Sequence, residues 1–129
     1  MRNEIDLLKN YPKTKRDLSK RLAEKSAEDR RIARQFGQAF FDGDRRHGYG
    51  GFVYNARFWQ PVMPDFQSYY TLTSSSSVLD IGCAKGFMLY DMQQHIPGIT
   101  VKGIDISPYA IEHALEDVRP HLSIGNAMN

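Results

Sequence analysis

Two aspartates and a glycine-bearing turn are the residues of this 129-residue chain whose types and spacing can do chemistry. In "VLDIGCAKG", residues 78–86, strand-forming residues run into Asp80 and then into a turn holding Gly82, Ala84 and Gly86. The pattern turns helical straight afterwards. A strand that ends in glycines and opens a helix leaves backbone N–H groups without intrahelical partners, which suit an anionic or polar part of a small ligand. A second acid, Asp105, closes the next strand-like run. A carboxylate there can accept hydrogen bonds from both hydroxyls of a ribose, because the carboxyl ends of neighbouring parallel strands face one crevice. The dinucleotide fingerprint GxGxxG fits less well, since its three positions fall on Gly82, Ala84 and Phe87. What stands instead is DxGxAxG, and the spacing asks for a nucleoside.

Alternating elements must position these residues. Ser77 to Ile81 reads as a buried strand, Lys85 to Ile96 as a helix stopped by Pro97 and Gly98, and Thr100 to Ile104 as a second strand. Ser107 is a natural N-cap before Pro108, and Ile111, Ala114, Leu115 and Val118 form the apolar stripe of a second helix ended by Pro120. Residues 121–125 supply a third strand. Strand, helix, strand, helix, strand implies parallel pairing with right-handed crossovers. Upstream, Leu18, Leu22, Ile32, Phe36 and Phe40 recur near helical spacing and predict one long amphipathic helix over 15–41. Residues 42–52, with four glycines, read as a loop, and a short helix follows from Pro61 or Pro64 to Tyr70. Residues 73–77 read as a linker. The expected division is a helical extension with a glycine and aromatic loop, 1–76, and an α/β unit, 77–129.

Over residues 77–129 the chain resembles the class I S-adenosylmethionine-dependent methyltransferases. "VLDIGCAKG", "VKGIDIS" and "GNA" match that family's first three cofactor motifs in order and spacing. The resemblance implies an α/β fold with a Rossmann-like parallel sheet, and S-adenosyl-L-methionine as cofactor. It implies that Asp80, Gly82, Cys83, Ala84 and Gly86 line the methionine part of the cofactor, that Asp105 binds the ribose, and that Ile106 lies against the adenine. Asn126 and Ala127 fall at the adenine edge. Two positions depart from the family pattern: Asn126, where an acid is common, and Ala84, where glycine is usual. A methyl group at 84 is tolerable where the backbone keeps φ negative. "YGGFVYNARFWQPV", residues 49–62, is similar to the lead-in of some small bacterial methyltransferases. That similarity makes Tyr49, Tyr54, Arg57 and Trp59 candidates for covering the cofactor or facing the substrate; the catalytic residues stay unknown. The sheet is expected to stop after its third strand, leaving strand one with an open apolar edge, so the chain reads as a truncated, inactive fragment.

Three functions compete. The first is the cofactor-binding half of a methyltransferase acting on a small-molecule acceptor. The second is a noncatalytic binding or interaction module, its sheet completed by a partner chain or a second copy. The third, an RNA methyltransferase, rests on a basic front: residues 1–47 hold 13 Lys or Arg against 8 acids, and the remainder 4 against 7. Acids interleave with those cations throughout, which favours a solvated face over a nucleic-acid site. Cys83 stands alone, so no internal disulfide forms and the cytoplasm is the default compartment. It reads as a small residue fitting a tight turn rather than a nucleophile. His47, His95, His113 and His121 show no metal-ligand spacing, and no metal is expected. No apolar run has the length needed to span a bilayer.

Overall fold

The computed structural model of the chain describes residues 3–13, 26–49 and 51–128. Among the described residues four short α-helices precede the sheet: α1 (Ala27–Ala33), α2 (Gln38–Asp42), α3 (Ala56–Trp59) and α4 (Met63–Tyr70). Three strands, β1 (Ser77–Ile81), β2 (Thr100–Asp105) and β3 (Leu122–Ile124), pair in that order and all in parallel. Parallel neighbours need crossovers, supplied by α5 (Phe87–His95) between β1 and β2 and by α6 (Pro108–Glu112) between β2 and β3. The expected α/β, Rossmann-like architecture is therefore present. Among the described residues no helix is long and apolar enough to cross a membrane.

Period-two alternation decides which face of the sheet is covered. Val78 pairs with Val101, Asp80 with Gly103, and Gly103 with Leu122, so these residues share a face. Against that face pack Leu89 and Met92 of α5, at 0% and 1% exposure, together with Val62, Met63 and Val118. Fully burying a side chain of this kind contributes about 1.5–3 kcal/mol, so α5 is fixed to the sheet mainly by Leu89 and Met92. Leu79 and Ile81 point to the other face and are more than half exposed.

The extension departs from the single rod that periodicity predicts. Of the run 15–41, residues 15–25, with Leu18 and Leu22, lie outside the described residues; the rest forms two helices broken at 34–37. Phe36 takes φ 50°, a left-handed conformation that cannot continue a right-handed helix, and Gly37 is the extended N-cap of α2, so the helical run is interrupted there. α1 has its own start signal: Ser26 Oγ accepts the Asp29 N–H at 3.1 Å, and Asp29 Oδ2 accepts the Ser26 N–H at 3.0 Å. Within the expected loop 42–52, Arg45–His47 forms a 3-10 turn. The helix expected to end at Tyr70 is α4, with Pro64 in its first turn, where no N–H is needed.

Smaller differences lie downstream. α5 begins at Phe87 rather than Lys85, because Ala84 and Gly86 are left-handed and cannot join a right-handed helix. α6 stops at Glu112, short of its predicted stripe; Val118 still reaches full burial from the turns that follow. β2 runs one residue further than expected, to Asp105, and β3 is confined to Leu122–Ile124.

Candidate functional site

The turn after β1 holds a conformation that most side chains resist. Gly82, Ala84 and Gly86 have φ of 81°, 51° and 80°. Glycine adopts this region freely, whereas a residue with a Cβ loses about 1–2 kcal/mol there. The condition under which alanine at 84 would be harmless, a negative φ, is not met. Asp105 holds the strained residue in place: its Oδ2 accepts the Ala84 N–H at 2.8 Å, and its Oδ1 accepts the Ser107 N–H at 2.9 Å.

Several N–H groups of this turn are occupied by the protein itself. Those of Gly82 and Cys83 both donate to Ile104 O, at 2.8 and 3.0 Å, and that of Gly86 donates to Cys83 O at 3.0 Å. Each Asp105 oxygen keeps a second lone pair for a ligand. That is acceptor chemistry suited to hydroxyls, and the first turn of α5 has no side-chain cap on its N–H groups.

The glycines of the turn do different jobs. A Cβ on Gly82 would meet nothing within 4 Å, and the position opens on solvent. A Cβ on Gly86 would stand 2.7 Å from Val118 Cγ2 and 3.0 Å from Leu122 Cδ1, so Gly86 lets the turn close on the core. Cys83 is likewise buried in the core. Burial, and then the charges of Asp80 and Asp105, push its thiol up to about 12, which removes it as a nucleophile at neutral pH.

An open cleft of about 240 Å³ lies at the carboxyl ends of the strands. Ile81 and Gly82 line it from the end of β1 and the turn after it, Ile104, Asp105 and Ile106 from the end of β2 and the residue after it, and Gly125, Asn126 and Ala127 from the segment after β3. Ile106 offers an apolar side chain at 53% exposure. Asn126 Oδ1 accepts the Met128 N–H at 2.9 Å, shaping the far wall. Asp80 stands outside the lining but is coupled to it: burial, and then the nearby Asp105 charge, raise its carboxyl above the usual range.

The structure thus gathers Gly82, Asp105, Ile106, Asn126 and Ala127 in one cleft, with Asp80 and Ala84 behind it. It places the four aromatic-segment candidates elsewhere. Tyr49 stacks on Phe52 at 4.4 Å between ring centroids, Arg57 Cζ lies 4.8 Å from the centroid of Phe58, and Trp59 packs edge-on against Tyr11 at 4.9 Å. Tyr54 donates to Asp91 Oδ1 at 2.5 Å. None of the four lines the cleft, because each is held by the packing of the extension against α5 or against itself.

Asp91 is 1% exposed, and its Oδ2 has no hydrogen-bond partner among the described residues. Burial raises its carboxyl above the ordinary range, and the Tyr54 hydroxyl only partly opposes this. The folded state therefore binds this proton more tightly than the unfolded chain does, so the stabilising effect is full below the unfolded pKa of about 3.9 and is lost as pH rises through the raised folded value. Asp91→Asn keeps the shape without the ionisation. We expect urea unfolding to show the variant gaining stability relative to wild type as pH rises from about 4 to 7; a constant difference between the two proteins across that range would refute the assignment.

Reading the residues alone missed a second polar centre behind the turn, formed by Asp42, Lys85 and Tyr109. Its one visible signal is a lysine set between the small residues Ala84 and Gly86 in an otherwise apolar turn.

An open parallel sheet with crossover helices, a tight glycine turn after β1 and a cleft at the strand ends define a Rossmann-like class of α/β domain. Residues 72–127 match the model of a family described as a methyltransferase domain. A solved structure titled "Crystal structure of MccD protein" is similar at 23% identity with a TM-score of 0.45, over 52% of this chain and 32% of that one. The chain thus spans about a third of the length of that structure. No curated protein matches the chain.

Proposed function

We propose that the chain is the S-adenosylmethionine-binding part of a methyltransferase that acts on a small-molecule acceptor. The observation that carries this reading is the meeting of Asp105, Gly82, Ile106 and Asn126 in one cleft at the ends of three parallel strands. The residues fit the ligand. The open position at Gly82 leaves room for a chain passing close to the backbone, the free lone pairs of Asp105 suit two ribose hydroxyls, and Ile106 offers apolar contact to a purine face. When bound, S-adenosylmethionine supplies a sulfonium-activated methyl group that an acceptor nucleophile takes in line. The residues here bind and align: Asp80, with its raised carboxyl, lies toward the methionine end, and the Asn126 amide lies toward the purine edge. Alignment of this kind is itself a large part of catalysis. The buried free thiol of Cys83 agrees with a reducing, cytoplasmic setting.

Isothermal titration of the folded chain with S-adenosylhomocysteine tests this reading. Saturable one-to-one binding, with NAD failing to compete, is the expected result; no heat with S-adenosylhomocysteine and binding of NAD would refute it. A second reading, a binding module completed by another chain, is favoured by the exposure of Leu79 and Ile81 on the uncovered face of the sheet. Sedimentation velocity separates the two, since the module predicts a stable dimer or a defined complex.

A further inference from the structure

The extension and the cofactor turn share one buried ion pair. Lys85 stands between two left-handed residues, Ala84 and Gly86, and its side chain is 7% exposed. Its Nζ donates to Asp42 Oδ1 and Oδ2 at 3.0 and 2.8 Å and to Phe52 O at 2.7 Å, which matches the three protons of the ammonium. Asp42 also accepts the Phe52 N–H at 2.9 Å and the Tyr109 O–H at 2.5 Å. Burial acts to raise the Asp42 carboxyl, but the bonds from Lys85, Tyr109 and the Phe52 N–H outweigh it and bring it to about 2, so it is a carboxylate at neutral pH.

A second strut runs in parallel. Ser107 Oγ donates to Phe36 O, while the Ser107 N–H donates to Asp105 Oδ1 at 2.9 Å. The extension thus grips both parts that shape the cleft, the turn through Lys85 and the ribose-side carboxylate through Ser107. A turn with a left-handed alanine is a conformation that relaxes unless its surroundings hold it.

We infer that Asp42 is a positioning residue for the cofactor turn: by anchoring Lys85 it holds residues 82–86 in the shape that binds the nucleoside, which makes the extension part of the binding site. The inference rests on the proposed function for the identity of the ligand and on the geometry alone for the anchoring. A lysine lacking its carboxylate would leave the pocket for water and release the turn.

Calorimetric titration of the full chain with S-adenosylhomocysteine provides the test, with Val62→Ala as a control that weakens the core outside this network. At a temperature where circular dichroism shows both variants folded, Asp42→Asn is expected to weaken binding about tenfold and Val62→Ala less than about twofold. Wild-type affinity in Asp42→Asn, or an equal loss in Val62→Ala, would overturn the inference. Should Asp42→Asn not fold, the double variant Asp42→Asn with Lys85→Gln buries no charge; the same loss is expected, and wild-type affinity again overturns the inference. Hydrogen exchange on the ligand-free protein supplies a readout that needs no ligand. The Ala84 and Gly86 amides should exchange about fivefold faster in Asp42→Asn while the α5 amides keep their rates; uniform acceleration or none would overturn the anchoring. If wild type binds no S-adenosylhomocysteine, the proposed function fails, and exchange alone decides the role of Asp42.

Discussion

Asp105→Ala is expected to weaken S-adenosylhomocysteine binding about 100-fold, because hydrogen bonds to a charged group contribute about 1.5–3 kcal/mol and this carboxylate serves the ligand and the turn together. Its two oxygens already accept the N–H groups of Ala84 and Ser107, at 2.8 and 2.9 Å. Removing it would take away the ribose acceptor and also free the strained residue that shapes the cleft wall. Asp105→Asn should lose less, about tenfold, since one oxygen remains to hold one of the two N–H groups. Calorimetry at fixed ionic strength reads both values. Equal affinities for wild type and Asp105→Ala would end the case for a ribose site at β2.

The second large effect is on folding. Gly86→Ala is expected to cost about 2–5 kcal/mol, combining about 1–2 kcal/mol for a left-handed Cβ with about 1–3 kcal/mol for overpacking. The new methyl would stand 2.7 Å from Val118 Cγ2, and Val118 is 0% exposed and cannot retreat. Gly82→Ala carries the same conformational cost without the collision, because nothing lies within 4 Å of its Cβ position. Urea denaturation should therefore rank Gly86→Ala well below Gly82→Ala, and titration should rank them in the opposite order for loss of ligand affinity. Similar midpoints for the two variants would show that the packing role of Gly86 is wrong.

The fold from residue 77 onward was legible in the sequence because its signals are local and repeated. Apolar runs of strand length, Pro97 with Gly98, and Ser107 before Pro108 each mark an element, and the observed strands fall within a residue or two of those marks. Asp105 was legible for the same reason, as an acid at a strand end. The turn was half legible. Its glycines were seen, but their division of labour depends on Val118 and Leu122, more than 30 residues away, which no local pattern records. The extension was legible least. Helical spacing of apolar residues predicted one rod, yet Phe36 and Gly37 interrupt the helical run so that Phe36, Phe40 and Phe41 can meet other rings instead of lying along one stripe. Tyr54 and Trp59 were singled out by the resemblance of their segment, but their positions are set by Asp91 and Tyr11, partners that spacing cannot reveal.

Those distant partners also order events in time. The links from Phe36 to Ser107 and from Asp42 to Tyr109 span 71 and 67 residues. A ribosome adding about 5–20 residues per second delivers the second member of each pair roughly 3–14 s after the first. In the later part of that interval Phe36, Phe40 and Phe41 have left the exit tunnel while Ser107 and Tyr109 are still unmade, so this aromatic stretch is open to a holdase chaperone before its long-range partners exist.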